Sequence, residues 1–368
     1  MSNKKHFQIS QQAVEKLAVR FGTPLLVLSL DEIKKNYKVL KKYMPRVKIH
    51  YAIKANPHPE ILRVMADMGS CFDVASDGEI RTMHDMGVDG GRLIYANPVK
   101  TGVGLEACRS CGVRKMTFDS ASEIDKIKKQ CPDATVLLRL RIDNSSAHVD
   151  LNKKFGAARE NALALMQQAK EAGLDMAGIA FHVGSQTVSA DPYLHALDIA
   201  RELFEEAEAA GLKLRILDVG GGFPIPEPKV KFNLPEMLRQ INARLDEDFA
   251  DAEIWAEPGR YICGTAVNLI TSVIGVTERG GQPWYFLNEG LYGTFSGVLF
   301  DQWDFKLISF REGEEKVAAT FAGPSCDSLD IRQIGYYVPR TPDSTAAGWR
   351  FAAGSQLRCL YLCQCNYF

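Results

Sequence analysis

The sequence predicts an α/β fold, a closed (β/α)8 barrel followed by a smaller β-rich domain. Between about residues 47 and 260, short β-prone runs alternate with amphipathic helical stretches, the pattern of parallel βα units. About eight such units fill that length, which is what a closed barrel needs. After Gly264 the alternation stops, and strand-like runs follow without a long helical pattern. A doubly wound open sheet is the alternative architecture. It would place a glycine-rich turn after its first strand, and none stands there. The expected division is 25–262 for the barrel, with 1–24 and 263–368 forming the β-rich domain.

The elements follow in order. The segment around Pro24–Leu30 precedes the barrel. Strand candidates are Lys48–Ile53, Cys71–Val74, Leu93–Ala96, Lys115–Phe118, Val136–Ile142, Gly178–Val183, Leu214–Val219 and Glu253–Ala256. Each is short, apolar and rich in β-branched or aromatic residues. Helical patterns lie between them, among them Glu60–Met68, Ser122–Lys129, Glu160–Ala172, Tyr193–Ala210 and Pro235–Leu245. Ala266–Thr277 and Trp284–Leu287 read as strands of the second domain.

Composition narrows the function classes. The chain has 368 residues, 46% hydrophobic and 24% charged, which fits a folded globular protein rather than a disordered one. A net charge of −1 gives no reason to expect a nucleic-acid or anionic-membrane surface. No run is long and apolar enough to span a bilayer, and the N-terminus shows no signal-peptide apolar region, so a cytoplasmic location is expected. The nine cysteines are then expected as free thiols. Cys108 and Cys111 have C-x-x-C spacing without a second pair, so no metal site is expected.

In a barrel, reactive groups gather where strands end, on the C-terminal face. The strand-end residues here are Lys54, Asp73, Asn97, Asp119, Arg139, His182, Gly220 and Glu257. Singly, each has a structural explanation: Lys54 as a surface cap of its strand, Asp73 and Asp119 as helix N-caps, His182 as a hydrogen-bonded core residue. Together they form a ring of polar groups at one mouth. An amine at Lys54 is placed to form a Schiff base. Gly220-Gly221-Gly222 lets backbone N–H groups turn toward an anion, and Arg260 adds a fixed cation beside them. Barrel phosphate sites often follow the seventh and eighth strands. A Schiff-base lysine, a phosphate cradle and a carboxylate at Glu257 for a ring nitrogen together imply pyridoxal phosphate, with His182 stacked on its ring.

These residues sit in motifs that resemble the barrel-type pyridoxal-phosphate decarboxylases of basic amino acids, the ornithine/lysine decarboxylase family. The motifs are Tyr-Ala-Ile-Lys-Ala-Asn-Pro (51–57), Phe-Asp-Val-Ala-Ser-x-x-Glu (72–79), Phe-His-Val-Gly-Ser-Gln (181–186), Asp-Val-Gly-Gly-Gly-Phe-Pro (218–224), Glu-Pro-Gly-Arg-Tyr (257–261) and Gly-Pro-Ser-Cys-Asp (323–327). The resemblance covers roughly residues 10 to 335 and implies the alanine-racemase-like arrangement called fold type III. It implies the imine role for Lys54 and support from Asp73, Glu79 and Arg139. It implies ring stacking by His182, phosphate contacts from Ser185, Gly220 to Gly222, Gly259 and Arg260, and pairing of Glu257 with the pyridine nitrogen. It also implies that Asp301, with Phe300 and Asp327 beside it, receives the substrate's distal ammonium, and that Cys326 reprotonates the α-carbon. In the family these last residues act across a dimer interface, so a head-to-tail homodimer with shared active sites is implied. The implied reaction is decarboxylation of ornithine to putrescine, or of lysine to cadaverine.

The chain departs from the family pattern twice. Phe300 stands where the family has Tyr, which removes one hydroxyl near the diamine end. The tail Arg-Cys-Leu-Tyr-Leu-Cys-Gln-Cys-Asn-Tyr-Phe (358–368) stands where the family has Gly-Ala-Tyr-Thr and a following strand-forming segment. Neither a strand pattern nor a cofactor-binding Tyr is legible in it. Codons for Arg358 to Tyr367, read one nucleotide later, can encode Gly-Ala-Tyr-Thr-Cys-Ala-Ser-Ala-Thr-Thr. The expectation is therefore a tail divergent or read out of frame from about 339 onward, with weaker cofactor binding and a weaker dimer. The alternatives are a diaminopimelate decarboxylase, whose family has Glu where Asp327 stands, and a catalytically impaired relative that binds regulatory partners. Alanine racemase needs a different lysine motif.

Overall fold

The computed structural model describes residues 7–142, 154–226, 230–300, 303, 305, 307–309, 316–334, 336–339 and 360–364. The chain divides into two compact units. One comprises residues 33–225 and 231–263, and the other is built from 1–32, 226–230 and 264–367.

The first strand in chain order, β1 (Leu25–Leu28), belongs to the second unit. The first unit contains β2 (Lys48–Ala52), β3 (Cys71–Val74), β4 (Leu93–Tyr95), β5 (Lys115–Phe118), β6 (Thr135–Leu140), β7 (Asp175–Phe181), β8 (Ile216–Asp218) and β9 (Glu253–Ala256). These eight strands pair in parallel, β9 returns to β2, and the barrel closes. Closure removes the exposed edges that an open sheet would leave. Ile94, Ala96, Leu137, Ala177, Ala180, Ile216 and Trp255 form one buried cluster of strand residues. Helix starts are set by sequence. Ser76 accepts the Glu79 N–H, Thr101 that of Gly104 and Asn233 that of Glu236, so each helix begins where a side chain takes up an orphan donor. Capping does not account for Asp73 and Asp119: Ser76 and Ser120 hold the N-cap positions after their strands.

The second unit is a sheet ordered β12-β16-β10-β11-β13-β14, with β1 beside β10 and β15 beside β13. Its strands are β10 (Val267–Arg279), β11 (Gln282–Leu287), β12 (Leu307–Ser309), β13 (Lys316–Ala322), β14 (Ile331–Ile334), β15 (Tyr336–Pro339) and β16 (Leu360–Gln364). An irregularity between Val273 and Gly275 lets β10 pair with β1 and β16 along its first half and with β11 along its second. The N-terminal helix Gln11–Phe21 buries Val14 and Ala18 against Ile270.

Two expectations are corrected. The boundary at 25 moves to 32/33, because Leu25–Leu28 pairs antiparallel with Val267–Ile270 and so joins the β-rich unit. The tail does supply a strand. Leu360–Gln364 lies between β10 and β12, antiparallel to both, as its β-prone Leu-Tyr-Leu allows. No helix among the described residues is long and apolar enough to cross a membrane.

Candidate active site

Lys54 leaves β2 in a single 3-10 turn, Ile53–Ala55. Register places Ala52 opposite Asp73 on β3, so the two strand ends present their side chains together. Lys54 Nζ lies 3.4 Å from Asp73 Oδ2. The lysine side chain is 64% exposed and the aspartate 1%, so an accessible amine is held by a buried anion. Asp73 raises the Lys54 pKa, and Glu257 adds to this; partial loss of hydration inside the barrel mouth and the Arg139 charge oppose it. The segment after β9 packs against the same turn: a Cβ at Gly259 would lie 2.8 Å from Ala55 Cβ.

His182 follows β7. The Gly184 N–H donates to its Nδ1 at 2.9 Å, which leaves the ring proton on Nε2. Burial, then the Arg139 and Lys54 charges, hold its pKa well below 6.5, so the imidazole is neutral at physiological pH. The glycine triplet sits against this loop. Gly220 and Gly222 have φ of 68° and 100°, the left-handed region. A Cβ would meet Phe181 O at 2.1 Å from Gly220, Glu257 O at 2.6 Å from Gly221 and Gly184 O at 2.4 Å from Gly222. No other residue fits these positions without moving backbone. The loops therefore meet backbone to backbone around the glycine triplet.

Glu257 closes the mouth. It is 5% exposed, its N–H donates to Gly220 O at 2.7 Å, and its Oε1 is buried without a partner. Asp218, fully buried at the end of β8, accepts the Gly220 N–H at 2.8 Å through Oδ1, and its Oδ2 is likewise orphaned. Burial, then Asp218 and Asp73, push the Glu257 pKa well up; burial pushes Asp218 to about 6. Asp218 was not singled out as a site residue from the sequence, although it stands at a strand end like the others.

Asp218 makes stability depend on pH. Its folded pKa of about 6 lies above the ordinary 3.8, so the folded chain holds a proton the unfolded chain has released. The stabilisation is complete below about pH 4 and is lost as pH rises through about 6. Two units correspond to on the order of 3 kcal/mol. Asp218→Asn removes this ionisation. Between pH 5 and 7.5 the melting temperature of the apoprotein is expected to fall less for the variant than for the parent. Parallel Tm–pH curves would contradict the assignment.

The remaining expected residues are distributed as follows. Glu79 is a capping residue of the helix Asp77–Asp85: its Oε2 accepts the Ala75 N–H at 2.5 Å and its N–H donates to Ser76 Oγ. Burial raises its pKa. Arg139 lies on β6 opposite Ala180 of β7. Ser185 stands half-buried between Gly184 and Gln186. Arg260 opens the short helix Arg260–Cys263. Cys326, Asp327 and Phe300 belong to the β-rich unit. Cys326 is an exposed free thiol in the loop from β13 to β14. Asp327 accepts the Tyr292 hydroxyl at 2.7 Å and the Leu329 N–H at 2.9 Å, and both hold its pKa down. Phe300 is 80% exposed. Asp301 lies outside the described residues. Among the described residues no group of His, Cys, Asp and Glu is placed to hold a metal.

Residues 30–264 match the family model for the pyridoxal-binding domain of pyridoxal-dependent decarboxylases. The chain belongs to this family. It is 51% identical over 336 residues to the lysine/ornithine decarboxylase of Selenomonas ruminantium, covering 91% of this chain and 85% of that one. Among solved structures it is similar to lysine decarboxylase from Selenomonas ruminantium, with a TM-score of 0.90 and 48% identity, covering 98% of this chain and 91% of that one. A lysine/ornithine decarboxylase from Vibrio vulnificus, complexed with cadaverine, is similar with a TM-score of 0.88 and 32% identity, covering 98% of this chain and 94% of that one. The pyridoxal-dependent decarboxylase fold, a parallel barrel with a separate β-sheet domain, is thus shared along nearly the whole chain.

Pyridoxal phosphate fits the residues present. The orphaned Glu257 Oε1 offers a hydrogen-bond partner to a ring nitrogen, and the glycine cradle leaves no room for side chains. The Lys54 amine is accessible beside its counter-charge.

Proposed function

We propose that this decarboxylase acts on basic diamino acids, ornithine and lysine, releasing putrescine and cadaverine. The observation that carries the reading is the accessible Lys54 amine held by Asp73 in the same barrel as the orphaned Glu257 carboxyl. The similarity to the Selenomonas lysine/ornithine enzyme supports the substrate class. Pyridoxal phosphate, when bound, supplies an electron sink for the pair left on the α-carbon as carbon dioxide departs.

The chain's own residues do the rest. Asp73 orients the Lys54 amine through its 3.4 Å contact. His182 stays neutral and so presents a flat, uncharged face to the ring. Glu257, with Asp218 behind it, holds a proton at the ring nitrogen. The cradle from Gly220 to Gly222, with Ser185, Gly259 and Arg260, takes the phosphate. Cys326 gives a proton to the α-carbon, and Asp301 with Asp327 receives the distal ammonium, each from the partner copy in a head-to-tail homodimer. The free thiols among the described residues, Cys71, Cys108, Cys111, Cys131, Cys263 and Cys326, fit a reducing cytoplasm.

The test supplies the purified chain and pyridoxal phosphate with carboxyl-labelled ornithine, lysine or diaminopimelate. Labelled carbon dioxide from ornithine and lysine, with the matching diamines, is the expected result. Release from diaminopimelate alone, or from none, would overturn the reading. Light scattering of the same sample tests the dimer.

A further inference from the structure

Gln186 stands out in the loop after β7. Among the described residues it is the sole non-glycine with positive φ, at 60°, and it is 4% exposed. A buried polar side chain on a strained backbone persists only where its surroundings hold it. Here the amide makes two bonds to one peptide position in the next loop. Gln186 Nε2 donates to Ile225 O at 2.6 Å, and the Ile225 N–H donates to Gln186 Oε1 at 3.0 Å. The side chain thus pairs with Ile225 as a strand neighbour would. The glycine segment is held at two further points, one from this loop and one from the helix Asp191–Ala209 that follows it. The Thr187 N–H donates to Gly222 O at 2.9 Å, and the buried Tyr193 hydroxyl donates to Gly221 O at 2.8 Å. These bonds occupy the carbonyls of Gly221 and Gly222. Gln186 fixes the far end of the glycine segment, and its own backbone carries the turn after Ser185.

We propose that Gln186 is a positioning residue for the phosphate of the cofactor, locking the loops after β7 and β8 into a preformed anion cradle. It rests on the pyridoxal-phosphate reading of the site and concerns how this chain selects the phosphorylated form. A preformed cradle spares the ordering cost of binding, so its loss weakens the phosphate contact and leaves the ring contacts alone.

The experiment measures the Kd of the full-length apoprotein for pyridoxal phosphate and for pyridoxal, which lacks the phosphate. Gln186→Gly keeps a residue suited to positive φ and removes only the side-chain pairing. Two lost hydrogen bonds predict a fall of about tenfold in the preference for pyridoxal phosphate, with pyridoxal affinity within about twofold of the parent. Gln186→Asn, which tolerates the same backbone but falls one methylene short of Ile225, is expected to behave alike and serves if the glycine variant does not fold. An unchanged preference in a folded variant, or equal losses for both ligands, would overturn the proposal. A parent chain that shows no preference for the phosphorylated form would instead overturn the cofactor reading itself.

Discussion

Lys54→Ala is expected to lower kcat by roughly a thousandfold or more, because it removes the amine that holds and exchanges the cofactor. Cofactor affinity is expected to fall far less. The glycine cradle and Glu257 are formed by backbone and by residues on other strands, and none of their described bonds runs through Lys54. The apoprotein is expected to fold, since the lysine side chain is 64% exposed and the buried partner is Asp73. Asp73 Oδ1 is already orphaned, and the variant leaves Oδ2 without its cation as well, so Lys54→Ala is expected to melt at a lower temperature than the parent. A variant that keeps a tenth or more of the parent kcat would remove Lys54 from the chemistry.

Glu257→Gln is expected to lower kcat by about a hundredfold to a thousandfold, the usual loss of one preorganised electrostatic partner in a closed site. Substrate KM is expected to change little, because the group acts on the ring nitrogen and not on the diamine. Burial raises the Glu257 pKa, and Asp218 and Asp73 raise it further. The site thus holds a proton where the ring nitrogen needs one. Glutamine keeps the size and one acceptor but carries no charge, so it cannot stabilise a protonated nitrogen. Removing a buried ionisable group also spares the folded chain its ionisation, so the apoprotein is expected to be at least as stable as the parent at pH 7.5. Steady-state kinetics at saturating cofactor separates the two effects. A loss of less than tenfold in kcat would contradict the pairing.

The barrel was legible because its strands are short apolar runs flanked by chemistry, and Lys48–Ala52, Cys71–Val74 and Glu253–Ala256 appear within a residue of where the pattern places them. Lys54 and Asp73 were legible for the same reason. Asp218 is not legible in the sequence, because it sits between the apolar Leu217 and Val219 at the end of a buried strand. Its orphaned oxygen is visible only once β8 and β9 lie side by side. Gln186 could not be read locally, since its partner Ile225 is 39 residues away and its φ is not encoded by residue type. The domain edge was misplaced because Leu25–Leu28 looks like any barrel strand, and only its pairing with β10 assigns it. The tail strand was missed because Leu360–Gln364 departs from the family motif, although its β-prone character suffices to fill the space between β10 and β12.

The measurement that bears most directly on the site is borohydride reduction of the chain loaded with pyridoxal phosphate, followed by peptide mass spectrometry. The cofactor mass is expected on Lys54 alone. Attachment at another lysine, or none after saturation, would contradict it.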